Sequence, residues 1–130
     1  MVDASALAMF ILQEPGWERI TGFLEHALSV DHVAKEVSNA VWKAYTRGFL
    51  SRSDAEEKIR YLAMLLGVNV KLVDELELLG DAVRIAMDTG VSVYDALYIA
   101  LAKRESLPLL TLDAGQADAA RRLGVEVVSP

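Results

Sequence analysis

Short apolar runs alternate with longer stretches of helical periodicity along this chain, and no Asn-Gly or Asp-Gly pair supplies a two-residue hairpin. Strands separated by helices pair side by side in parallel, because the helix carries the chain back to the starting edge. The pattern therefore predicts an α/β sandwich with a mainly parallel sheet. Such sheets place ligands beyond the carboxyl ends of their strands, and residues that follow a strand directly gain importance.

At 130 residues the chain suits one domain spanning 1–130, long enough to bury a core without staples, and its 53% apolar content excludes a disordered class. Cysteine is absent, which removes disulfide and thiolate chemistry. No run reaches the roughly 20 apolar residues of a membrane span, and the first residues lack the marks of a signal peptide, so a cytoplasmic protein is expected.

Met1-Val2-Asp3 reads as the end of a buried strand turning straight into a helix, stopped at Glu14-Pro15-Gly16. Trp17 to Leu28 has helical spacing, and a short strand follows near Leu28 to Asp31. In Val33 to Arg47, Val33, Val37, Ala40, Val41 and Ala44 form one stripe, flanked by Glu36, Asn39, Lys43 and Arg47 at spacings of three and four. Ser51 or Ser53 caps a helix to about Leu66. Gly67 to Val73 reads as a strand, Asp74 to Asp88 as one amphipathic helix, and Ser92 to Arg104 as a buried helix. Leu107 to Leu112 and Val125 to Val128 read as strands around a helix over Ala114 to Leu123.

Four acids stand out in this frame: Asp3, Glu36, Asp95 and Asp113. Asp3 and Asp113 each follow a strand and open a helix. The bland explanation is an N-cap, and it is compatible with metal binding, since one oxygen caps while the other coordinates. Asp95 matches the spacing of a capping box with Ser92, but it lies among Val93, Tyr94, Ala96 and Leu97, where an unpaired charge is costly. Glu36 by itself reads as a solvated acid paired to Lys35 or Lys43, although its place beside the buried stripe suits a cleft rim. Asp74, Glu75 and Glu77 read as solvated acids at a helix start. His26 and His32 lack a metal-ligand pattern. Trp17, Trp42, Tyr45, Tyr61 and Tyr98 at helical positions are expected in the core or at interfaces rather than stacked on bases.

The net charge of −6 argues against broad adhesion to nucleic acid. Between His32 and Leu62, however, six basic residues (Lys35, Lys43, Arg47, Arg52, Lys58, Arg60) face four acids (Glu36, Asp54, Glu56, Glu57). Lys43 and Arg47 share the ridge of Glu36 and are the candidates for guiding a nucleic-acid backbone.

Val2-Asp3-Ala4-Ser5-Ala6, Glu36-x-x-Asn39, Ser92-x-Tyr94-Asp95-Ala96 and Thr111-x-Asp113, in this order and over essentially the full length, resemble the PIN-domain ribonucleases, and among them the VapC-type toxins of toxin–antitoxin pairs. The resemblance implies a three-layer α/β/α sandwich around a parallel sheet of about five strands. It implies an acidic quartet of Asp3, Glu36, Asp95 and Asp113 binding Mg2+ or Mn2+, with Ser5, Asn39 and Thr111 as polar supports, and cleavage of RNA. It also implies a cognate antitoxin as partner, and a homodimer or higher homo-oligomer. Trp42, Tyr45, Phe49, Leu50 and Tyr61 would serve one of these contacts. Some relatives carry a further acid shortly after the last aspartate, where this chain has Gln116 and then Asp118.

Hard ions such as Mg2+ favour carboxylates and keep waters, so an all-acid set suits them better than zinc. The reaction expected is in-line attack by water activated at the metal, leaving a 5′-phosphate and a 3′-hydroxyl. Two rival readings remain open. A Mg-dependent phosphoryl-transfer domain also puts acids at strand ends, but the chain lacks the Asp-x-Asp of the phosphatases. A PIN-like protein-binding scaffold would cut nothing.

Overall fold

The protein is described by a computed structural model covering residues 1–130. Its helices are α1 (Ala4–Leu12), α2 (Val33–Thr46), α3 (Arg52–Leu65), α4 (Leu79–Thr89), α5 (Val93–Glu105) and α6 (Ala114–Arg122). Its strands are β1 (Ala27–Val30), β2 (Val70–Val73), β3 (Leu109–Leu110) and β4 (Val127–Val128). The architecture is α/β with parallel pairing, as the absence of hairpin turns requires.

The sheet departs from the continuous five-stranded one expected. β1 pairs with β2 from Ala27–Val70 to Val30–Val73, and β3 pairs with β4 over Leu109–Val127 and Leu110–Val128, which makes two two-stranded parallel ladders. The opening segment lies between them and contributes only a bridge, Val2 to Leu110. Val2 N–H donates to the Leu28 carbonyl at 2.9 Å, and Leu110 N–H donates to the Met1 carbonyl at 2.8 Å. The Val2 carbonyl accepts from Ser29 Oγ at 2.7 Å instead of from a neighbouring strand. Asp3 then caps α1 at once, so this segment has no length in which to build a regular strand.

Two helical expectations also change. Trp17–Phe23 is a 3-10 helix rather than the start of an α-helix to Leu28. The stretch after Asp74 breaks into a short 3-10 turn, Glu75–Glu77, and α4, because the fully buried Leu78 turns inward between them with φ −110°.

α5 is the central helix. Every residue from Ala96 to Ala102 is buried, and the helix packs against α4, α6, β1 and β3. Burying side chains such as Ile99 and Leu101 contributes about 1.5–3 kcal/mol each. A helix this apolar has no solvent face in its middle, so only its ends open outward: the first turn, with Tyr94 and Asp95, and the last, with Lys103, Arg104 and Glu105. No single helix is long and apolar enough to cross a membrane.

The aromatic expectations divide. Tyr98 is in the core, and Trp17 is partly buried edge-on against Phe10, with ring centroids 5.7 Å apart. Trp42, Tyr45, Phe49 and Tyr61 stay exposed around α2 and α3.

Candidate active site

Asp3 follows the bridging Val2, opens α1 and is only 3% exposed. Its Oδ1 accepts the Ala6 N–H at 2.9 Å, so the expected cap exists. Ser5 Oγ lies 2.8 and 2.9 Å from the two carboxyl oxygens. Thr111, at the end of β3, brings Oγ1 within 2.6 Å of Asp3 Oδ2.

This cluster is short of one proton if Asp3 is ionised. Thr111 Oγ1 also lies 2.8 Å from Gln116 Oε1, and the amide is oriented by Nε2 donating to the Asp95 carbonyl at 3.1 Å. Thr111 has one hydroxyl proton for two acceptors. Thr111 donates to Asp3 Oδ2 while that acid is ionised; below the raised pKa a protonated Asp3 can donate to Thr111, which then donates to Gln116. The electrostatics agree: burial pushes the Asp3 carboxyl up to about 6, against the lowering effect of its hydrogen bonds, and the charge of Glu36 pushes the same way.

Asp95 stands at the third position of α5, where its N–H donates to the capping Ser92 Oγ at 3.2 Å. Burial raises the pKa of the Asp95 carboxylate, and the charges of Asp113 and Glu36 raise it further. The Ser92 hydroxyl beside it lowers that pKa slightly, and no cation stands against it. Asp113 is exposed and caps α6, its Oδ1 accepting the Gln116 N–H at 2.7 Å. Asp113 N–H in turn donates to Thr111 Oγ1 at 3.0 Å.

Glu36 faces α5 rather than a lysine. Tyr98 donates its O–H to Glu36 Oε1 at 2.9 Å, and burial, followed by the Glu36 charge, pushes the phenol's pKa up. His32 Nε2 lies 2.9 Å from the same oxygen, but its ring N–H is not aimed at it, so the two are neighbours without a hydrogen bond. Lys35 pairs instead with Glu75 at 3.6 Å, and Glu75 Oε2 stands 3.8 Å from His32 Nδ1. Glu75 is thus a partly buried member of this network, correcting its reading as a solvated acid.

Asp3, Glu36, Asp95 and Asp113 therefore form one electrostatic neighbourhood, with Ser5 and Thr111 inside it. Asn39 does not join: it is exposed on the next turn of α2 and bonds to none of the acids. Lys43 and Arg47 are exposed further along the same helix with no carboxylate partner. The donor set is oxygen-rich and suits a hard divalent ion. It is not a preformed cage, since no three acid or imidazole groups converge at ligating distance.

Four participants were not read from the sequence as site residues: His32, Tyr94, Tyr98 and Gln116. Spacing carried a weak signal for three of them. His32 is one turn before Glu36, Tyr98 one turn after Asp95 and Gln116 one turn after Asp113. Gln116, shortly after the last of the four acids, is a buried amide that ties α6 to the first turn of α5.

Comparison with known proteins agrees with this geometry. Residues 1–122 match the PIN domain family. Ribonuclease VapC3 of Pyrobaculum aerophilum is 36% identical over 121 residues, covering 91% of this chain and 92% of that protein. The crystal structure of PAE2754 from Pyrobaculum aerophilum is similar in fold, with a TM-score of 0.77 at 22% identity over 98% of this chain and 86% of that one. The order of the acids, their meeting at one end of the parallel strands and this full-length likeness make the chain a member of the PIN-domain family, of the VapC ribonuclease type.

Proposed function

We propose that this PIN domain, spanning 1–130, is a divalent-metal-dependent endoribonuclease and the toxin of a toxin–antitoxin pair. The observation that carries the reading is the burial of acids beside one another's charges. Asp3 and Asp95 are held partly desolvated and near Glu36, an arrangement that costs stability unless a cation relieves it. Asp3, Glu36, Asp95 and Asp113 are the proposed ligands of Mg2+ or Mn2+. When bound, such an ion supplies a nucleophile at neutral pH and neutralises charge on the scissile phosphate.

The remaining parts belong to the chain itself. Ser5 and Thr111 orient the Asp3 carboxylate, and Tyr98 fixes one oxygen of Glu36. Gln116 fixes the first turn of α5, and so Asp95, relative to α6. The test is the purified chain on RNA with Mg2+, with Mn2+ and with chelator. Cleavage only with metal, yielding 5′-phosphate ends, and its loss in Asp95→Asn with folding retained, are the expected results. Persistent cleavage in chelator or in Asp95→Asn would sink the proposal, and a folded, metal-binding chain that cuts nothing would favour the protein-binding scaffold.

Lys43 and Arg47 are proposed to follow the RNA backbone, supported by their exposure, their lack of ion-pair partners and their place on the helix of Glu36. Replacing both with alanine is expected to flatten the log–log salt dependence of RNA binding by about 1.4, from about 0.7 per phosphate contact on a single strand. Metal affinity should stay as it is, and calorimetric titration with Mn2+ checks that part.

The cognate antitoxin proposed to hold the ribonuclease inactive needs a docking face, and the exposed Trp42, Tyr45 and Ile59 line a groove of about 480 Å³ between α2 and α3, bordered by Arg52 and Arg60. That groove, together with Phe49 and Tyr61, is the face offered to the antitoxin or to a second copy of the chain in a homo-oligomer.

A further inference from the structure

We infer that Tyr94 is a stacking platform for an unpaired base of the RNA next to the scissile phosphate. The inference rests on the ribonuclease reading of the acid cluster and adds to it a subsite and a substrate class, unpaired RNA. Tyr94 immediately precedes Asp95 in the first turn of α5, which is open to solvent while the middle of that helix is buried. It is 60% exposed, yet its ring is not loose: it lies parallel to the His32 ring, with centroids 4.9 Å apart and planes 14° from parallel.

His32 is the buried member of this pair, 9% exposed, and sits between Glu36 and Glu75. It therefore supports Tyr94 from beneath, and the outer face of the tyrosine ring is left to solvent. Other exposed rings differ. Trp42 and Tyr45 stack on no aromatic side chain, and Tyr61 meets Phe10 only at a tilt, with centroids 6.1 Å apart. No side-chain hydrogen bond engages the Tyr94 hydroxyl, so nothing in the fold itself requires a tyrosine here.

A rigid, wet aromatic face beside a phosphate-binding cluster suits a base. Every nucleobase has a π-face, so stacking gives affinity without strict sequence readout, and only a base outside a duplex can splay onto it. Because the platform adjoins Asp95, the base it holds belongs to a nucleotide flanking the cut. The occupied platform would set the register of the strand across the acids.

The experiment measures binding of an end-labelled, unpaired oligoribonucleotide by fluorescence anisotropy with Ca2+ as the divalent ion, and single-turnover cleavage with Mg2+. Tyr94→Ala and Tyr94→Leu should weaken binding about 5- to 150-fold, the range of one base–aromatic stack, whereas Tyr94→Phe should keep native affinity. The same oligonucleotide with an abasic ribose beside the cleaved bond should bind the native chain and Tyr94→Ala equally. Mn2+ affinity and the melting temperature should stay native in all three variants, as expected for an exposed side chain.

Equal RNA affinity in Tyr94→Ala, leucine serving as well as phenylalanine, or an undiminished deficit on the abasic oligonucleotide would each overturn the platform while leaving the nuclease reading intact. A native chain that neither binds nor cuts RNA would instead overturn the nuclease reading, and the platform with it.

Discussion

Asp3→Asn is expected to make the metal-free protein more stable at pH 7 and to lower RNA cleavage by about 10³-fold. The stability part follows from linkage. The folded-state pKa of Asp3 is raised from the ordinary 3.8 to about 6, so between these pH values the native state holds a proton that the unfolded chain has released, and at pH 7 it carries a charge that folding disfavours. The advantage of the protonated form is complete below pH 3.8 and is lost as pH rises through about 6. At 1.36 kcal/mol per pH step, this amounts to about 3 kcal/mol.

Asparagine stays neutral throughout. It caps a helix as well as aspartate does, so the Ala6 N–H keeps its acceptor, and its amide N–H donates to Thr111 as the protonated acid would. Urea unfolding from pH 4 to pH 8 checks this: the native curve should fall across that range and the variant's should be flatter. Asp95, raised by burial and by Asp113 and Glu36, adds a contribution of the same sign. The activity part follows from losing a charge that positions and compensates the ion. Several kcal/mol of lost charge stabilisation at 1.36 kcal/mol per tenfold gives the stated factor. A variant that cuts RNA at the native rate would remove Asp3 from the proposed site.

Mn2+ or Mg2+ should raise the melting temperature, and by more at pH 7.5 than at pH 5. An ion that binds only the folded chain stabilises it by about 2.7 kcal/mol at a hundred times its dissociation constant. For a domain of this size that is about 10 °C. The pH trend has a definite sign, because the ion needs the carboxylates ionised and the protons of Asp3 and Asp95 compete with it. Differential scanning fluorimetry of the native chain, with Asp3→Asn as the control that should lose most of the shift, measures both. A shift that is absent, or larger at pH 5, would count against a cation site built from these acids.

The two effects share a cause. Acids crowded at the end of a parallel sheet are a liability to the empty fold and an asset to the occupied one. Under the proposed function, activity and metal-free stability oppose each other at Asp3 and Asp95, as is common where a site is built to be completed by a ligand.

The sequence alone determined what depends on local pattern. The lack of hairpin turns and the alternation of runs dictated parallel pairing. The unbroken apolar stretch after Ser92 dictated a buried central helix, and Asp3 and Asp113 were recognisable as residues that leave a strand and cap a helix, because capping is decided by the backbone within three residues. Asp95 was singled out because its neighbours in the chain leave a charge no company.

Other features were settled by contacts between segments far apart in the chain. Whether Met1–Asp3 became a strand depended on Ser29 taking the Val2 carbonyl, 27 residues away. Whether Glu36 met lysine or tyrosine depended on α2 facing α5, which brings Tyr98 to it across 62 residues. The burial of His32 beneath Tyr94, the tie from Gln116 to Asp95 and the partial burial of Glu75 have the same origin. Periodicity tells a residue which side of its own helix it occupies. Which other segment waits on that side is fixed only when the helices and strands pack, and that packing turned four separated acids into one electrostatic neighbourhood.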